Sequence, residues 1–385
     1  MTARITGVDV ARCLALLGMM ATHVLPAVVD GEVTPAHEVA AGRSSALFAV
    51  LAGVSLVLVT GSRAPVRGAA WRSAYAGIAA RAGLIGLIGL LLGEVPSGIA
   101  VILASYAAFF LLAGPFLALR SRWVLLAAAV GALAGPVLSL LLRRGLPDPT
   151  YLVPNVGSLF DPVGLLLDLL VTGYYPALTW LPYLLLGIVL ARLDLDSTRV
   201  RLVLVAGGTA AAVTSVVVSD LLVADRGVRA ALTRSFTGPG WQGDLATTLE
   251  HGLYGTVPTG SPWWLAVRAP HTGTTPDLLM TAGSACVVLA ACLVLGQLAP
   301  RACRVVFGAG GMTLTLYSLH VVSRGDGLWD ADGWSTYLGQ VAVVLAVGAA
   351  YALARRRGPL EVLVGEVARS ARRSVAGAAP YDGAP

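Results

Sequence analysis

The chain has no lysine at all, a single asparagine (Asn155) and a charged fraction of only 12%, about half that of an ordinary soluble domain. That composition argues against a water-soluble globular enzyme. Its four cysteines, at 13, 286, 292 and 303, lie in or beside apolar stretches with no CxxC spacing, which argues against a zinc site or a disulfide framework. No histidine pair has a metal-ligand spacing either, so no metal is expected. A basic, aromatic-interleaved patch is also missing. The 27 arginines give a net charge of +6 but are dispersed among apolar segments, which points away from nucleic acid. The inverted-repeat signature of many transporters is not found.

What remains is long apolar runs broken by short arginine-bearing loops, with 56% hydrophobic residues and a mean hydropathy of +0.78. That pattern predicts an all-α, polytopic helical membrane protein of about ten transmembrane helices. The segments fall at roughly 8–29, 44–60, 73–93, 98–119, 123–142, 176–192, 202–223, 278–298, 305–323 and 335–354, each near the ~20 residues that cross a bilayer. With both termini cytoplasmic, nineteen of the 27 arginines fall on the inner side, as the positive-inside rule requires. Three outer segments, 30–43, 143–175 and 224–277, are longer than turns, and Gly164–Leu170 is apolar enough for an interfacial helix. The membrane domain is taken as residues 1–354. Residues 355–385 read as a basic cytoplasmic tail: a helix at the lipid headgroups, then a disordered Ala/Gly/Pro end.

The first apolar segment carries three ionisable groups. At 100° per residue Arg12 and His23 lie about 20° apart in azimuth, with Asp9 about 40° to the other side of His23. The rise from Arg12 to His23 is roughly 16 Å, about half a membrane. Intramembrane charge usually faces a bundle interior or a water-filled cavity. A structural network is the plain alternative, but three such groups on one face favour a site. Arg43 stands at an outer boundary where orientation does not ask for it, and so is a candidate anion or oxyanion partner. Arg67, Arg72 and Arg81 flank and enter the third segment on the inner side, where an anionic ligand needs cations. In the ninth segment Thr313, Tyr317 and His320 form a polar stripe, and Gly308, Gly310 and Gly311 allow close approach. His271 and Tyr175 sit in outer stretches that suit an acceptor.

Several blocks resemble a family. Val8-Asp9-x-x-Arg12 with His23 is similar to the first-helix signature of membrane acyltransferases of family 3, and of heparan-alpha-glucosaminide N-acetyltransferase-like proteins. Gly42–Gly53, Thr172–Tyr183, Pro270–Thr274, Gly311–His320 and Arg357–Glu361 resemble these proteins too, in the expected order along the chain. The pattern departs at Cys13, where a glycine commonly follows the arginine. The resemblance implies an acetyltransferase of the bacterial plasma membrane. It would move an acyl group, in the simplest case acetyl, from cytoplasmic acyl-CoA to an extracytoplasmic glycan or glycolipid. His23 would be the base or transient acyl carrier. His320 and Arg43 would assist it, Arg12, Arg67, Arg72 and Arg81 would hold the donor, and Asp9, His271, Tyr175 and Tyr317 would contact substrate. Membrane lipids are the other partners, and a homodimer is left open. The rival is a transporter or flippase of a lipid-linked or small anionic substrate, using the same buried charges as a pathway.

Overall fold

The computed structural model describes residues 5–147, 149–236, 244–325, 329 and 331–377; the expected disordered end beyond 377 lies outside them. The chain is an all-α polytopic membrane protein, 76% helical. In order, α1 (Thr6–Val24) is followed by a two-stranded antiparallel ribbon, β1 (Val28–Val29) and β2 (Glu32–Val33), with Val28 opposite Val33. Then come α2 (Pro35–Ala40), α3 (Arg43–Thr60), α4 (Gly68–Leu92), α5 (Leu103–Ala113) and α6 (Ser121–Arg143). After α7 (Pro162–Leu167), α8 (Ala177–Arg192) and α9 (Thr198–Ala224), two short helices, α10 (Arg226–Ser235) and α11 (Leu245–His251), build the long loop. The chain continues through α12 (Thr275–Leu298), α13 (Pro300–Val306), α14 (Thr313–Ser323), α15 (Trp334–Leu353) and α16 (Pro359–Gly377).

Among the described residues, seven helices are long and apolar enough to cross a membrane, and eight if the bent pair 162–172 and α8 counts as one span. Ten was the expectation, and the difference comes from breaks within apolar segments. Residues 305–323 form no continuous helix: α13 ends at Val306, a glycine 3-10 turn runs from Gly308 to Gly311, and α14 restarts at Thr313. Leu103–Ala118 is likewise short, with Pro115 opening a 3-10 turn. Gly164–Leu170 falls in the first half of the bent pair, which meets α8 at 58°.

Helix α1 is the central post. Two thirds of its most apolar window is buried, against 22% for α9 and α15, which leave broad apolar faces outward as lipid-facing helices do. It packs on α3, α12 and the 308–311 turn. Backbone-to-backbone approach makes this possible: a Cβ on Gly310 would fall on the carbonyl of Asp9. The tail helix α16 docks on α4 and buries Val364 and Ala368. Ser73 donates to the Arg372 carbonyl at 3.0 Å, and the Arg372 guanidinium donates to Val59 O at 2.8 Å.

Candidate active site

The elements around α1 line a half-open cavity of about 450 Å³, a size common for small-ligand sites. Its lining is mostly apolar, with polar groups at one end: Asp9, Arg12, Ser55, Arg81, Arg357 and Glu361. Arg12 is held, donating to Asp9 Oδ1 at 3.2 Å and Ser55 Oγ at 2.6 Å. Arg81, two turns into α4, has no hydrogen bond or ion pair among the described residues, and its Nε is buried without a partner. An orphaned buried donor of this kind is costly unless something else satisfies it. Glu361 serves a structural end: its carboxylate accepts from Leu314 N (2.8 Å), Thr315 N (3.1 Å) and Thr315 Oγ1 (2.6 Å), capping α14. Among the candidate donor-binding residues, Arg12 and Arg81 therefore share the cavity. Arg67 and Arg72 do not: both are exposed, and Arg67 Nε donates to Ala118 O at 3.1 Å. Arg357, read from sequence as a headgroup contact, also lines the cavity, because α16 folds back onto α4.

The other end of the cavity closes on Met19, Tyr106 and Tyr317, all buried. The Tyr317 hydroxyl accepts from Ile102 N at 3.4 Å. His23 lies one turn beyond Met19 on α1, about 6 Å along the axis, and His320 follows Tyr317 on α14. The two imidazoles stack, with ring centroids 5.3 Å apart and His23 Nδ1 3.1 Å from His320 Nε2. His320 Nδ1 is in turn 2.8 Å from Gln340 Oε1 on α15. The structure thus joins two candidate residues from opposite ends of the chain and adds a third, Gln340, that sequence reasoning missed. A lone glutamine in an apolar run carries no local signal beyond being polar inside a membrane helix.

The remaining candidates gather in the loops next to this pair. His271 adopts a left-handed conformation (φ 57°), unusual for a residue other than glycine. It is ringed by Tyr174 (4.9 Å), Tyr175 (5.8 Å) and Trp180 (6.2 Å). Its Nδ1 is buried without a partner, and burial, followed by the fields of His251 and His37, pushes its pKa down to about 4. His37 and His251 stack at 6.0 Å, an association the sequence did not suggest. Arg43 is bonded to the Glu38 carbonyl and approaches Met280 Sδ at 3.8 Å. Among the described residues no group of three His, Cys, Asp or Glu is arranged to hold a metal ion.

Such an arrangement can bring an anion-bearing molecule to one end of the cavity and offer an imidazole just past the other. Comparison with known proteins bears on what it serves. No curated protein gives a significant match. The model of the heparan-alpha-glucosaminide N-acetyltransferase catalytic domain matches residues 4–220, which takes in Asp9, Arg12, His23 and Arg81 but ends before His320, Gln340 and Glu361. That stretch is more than half of the chain, and the protein belongs to this family of membrane acetyltransferases.

Proposed function

We propose that the protein transfers an acyl group, in the simplest case acetyl, from a CoA thioester entering at the arginine end to a hydroxyl or amine at the histidine end. The acceptor would be a cell-envelope glycan or glycolipid, the membrane the bacterial plasma membrane, and the arginine end would face the cytoplasm. One observation carries the reading: the His23–His320 pair sits a single turn past the closed end of a cavity whose far end holds an unpartnered guanidinium.

The residues present fit the donor. Arg81, Arg12 and Arg357 supply cations for its phosphates, and the apolar wall between them and Tyr317 suits an uncharged arm. His23 takes the proton from the acceptor X–H as the X–acyl bond forms. The C–S bond breaks, and the same proton passes to the departing sulfur, so acyl–S–CoA plus H–X becomes acyl–X plus HS–CoA. Acylation of His23 first, with release to the acceptor in a second step, uses the same atom. A carrier would have to move its whole substrate past Met19, Tyr106 and Tyr317, which are 5%, 2% and 3% exposed. A transferase needs only to bring a reacting carbon to that point.

The test uses membranes bearing the protein, supplied with [14C]acetyl-CoA and assayed for label in lipid and envelope fractions. Wild type should incorporate label above vector membranes. His23→Ala, purified with a matching melting curve, should fall by about 10²- to 10⁴-fold. Incorporation by His23→Ala at the wild-type rate overturns the assignment.

A further inference from the structure

We infer that Gln340 is a positioning residue: its amide carbonyl fixes His320, and through it His23, in the Nδ1–H tautomer, leaving His23 Nε2 bare. Gln340 belongs to the buried stripe Thr336, Gln340, Val344 and Gly348 of a helix that otherwise turns outward, and it is only 3% exposed. A buried primary amide in such a helix is costly unless it is bonded. Its one side-chain bond among the described residues is the 2.8 Å contact from Oε1 to His320 Nδ1.

The rest follows from donor and acceptor counts. A carbonyl oxygen only accepts, so His320 carries its proton on Nδ1. A neutral imidazole has one N–H, so His320 Nε2 is an acceptor, and the atom 3.1 Å away, His23 Nδ1, must donate. That uses the only proton of a neutral His23. Turning the amide over reverses every donor and puts the proton on His23 Nε2, a form unable to act as base or nucleophile through that atom. The choice of sense is the one clause that rests on the acyl-transfer reading. Among the described residues, Arg324 at the end of α14, His37 in α2 and His271 in the loop before α12 are the other ionisable groups within electrostatic reach of the pair. None of them bonds either imidazole.

The experiment is solid-state NMR of protein carrying 15N-histidine in liposomes, with signals assigned by loss in His23→Gln and His320→Gln. At neutral pH the wild type should show protonated Nδ1 and bare Nε2 on both residues. In Gln340→Leu, His23 should take up the Nε2–H form. Its transfer rate from [14C]acetyl-CoA should fall between about 10- and 10⁴-fold, the upper figure being the cost of a wrong tautomer in a serine hydrolase, with KM for acetyl-CoA unchanged. Gln340→Glu should keep the tautomers and the activity. Its carboxylate favours imidazolium, so the acid limb of its pH–rate profile should move to higher pH. A protonated Nε2 on wild-type His23 overturns the inference, and so does a Gln340→Leu protein with unchanged tautomers. If Gln340→Leu fails to fold, the wild-type spectrum still decides. The spectrum needs no acceptor, so bare Nε2 nitrogens in a protein that transfers nothing would sink the proposed function and leave this assignment standing.

Discussion

Arg12 and Arg81 share a cavity and differ in what they are bonded to, and that difference sets what each is expected to do. Arg12 is tied to Asp9 and Ser55, whereas Arg81 has an orphaned Nε. Removing Arg81 breaks no internal bond, so Arg81→Ala should keep its melting temperature. It should weaken acetyl-CoA binding by about 1.5–3 kcal/mol, the range for a charge-assisted hydrogen bond, measured by calorimetry. Unchanged affinity would reduce Arg81 to an orientation signal. His271 gives a second residue-scale test. Its pKa is about 4 folded and about 6.5 unfolded. Between those values the unfolded chain binds a proton the native state does not, so stability is full above pH 6.5 and falls as pH drops toward 4. Melting in detergent should show this slope, and His271→Asn, which tolerates the left-handed backbone, should flatten it; a midpoint that does not move between pH 6.5 and 4.5 would contradict it. The Asp9–Arg12–His23 face was legible because helical spacing is local. Ser55, His320 and Gln340 were not assignable as partners, since they come from distant parts of the chain. Arg67 and Arg72 lie outside the cavity, a placement the sequence could not give because positive-inside arginines and ligand arginines look the same in sequence.

At the scale of elements, hydropathy marked where the chain is apolar but not where its helices are continuous. The segment 305–323 has the length and composition of a span, yet Gly308–Gly311 turns it into two short helices around a tight turn. That turn lets α14 start beside Asp9, which brings Tyr317 to the cavity and His320 to His23. The close approach at Gly310 should tolerate no side chain. Gly310→Ala puts a methyl on the Asp9 carbonyl and should cost about 1–3 kcal/mol, the usual cost of overpacking. Gly207→Ala, in α9 with no heavy atom within 4 Å of the added methyl, should be neutral or slightly stabilising. Equal melting temperatures for the two variants would contradict the packing. The tail's packing was hidden for a related reason: a basic amphipathic helix reads as a lipid binder, and only the fold shows that Val364 and Ala368 also bury against the bundle while Glu361 caps α14.

At the scale of the molecule, arginines mark one end of the cavity, and His23 and His320 lie past the other, with His37, His251 and His271 in electrostatic reach of one another nearby. The membrane character and all-α class could be read from composition alone, because burying a backbone in lipid leaves a helix as the form for apolar runs of this length. Polarity across the membrane is what the proposed function depends on, since the proposed donor and acceptor approach from opposite faces. The most direct measurement is sidedness. Sealed inside-out and right-side-out vesicles bearing the protein are supplied externally with [14C]acetyl-CoA, and label in the membrane and envelope fractions is counted. The account predicts incorporation in inside-out vesicles alone, lowered by about 10²- to 10⁴-fold for His23→Ala. Equal incorporation from both faces, or incorporation in right-side-out vesicles only, would contradict it.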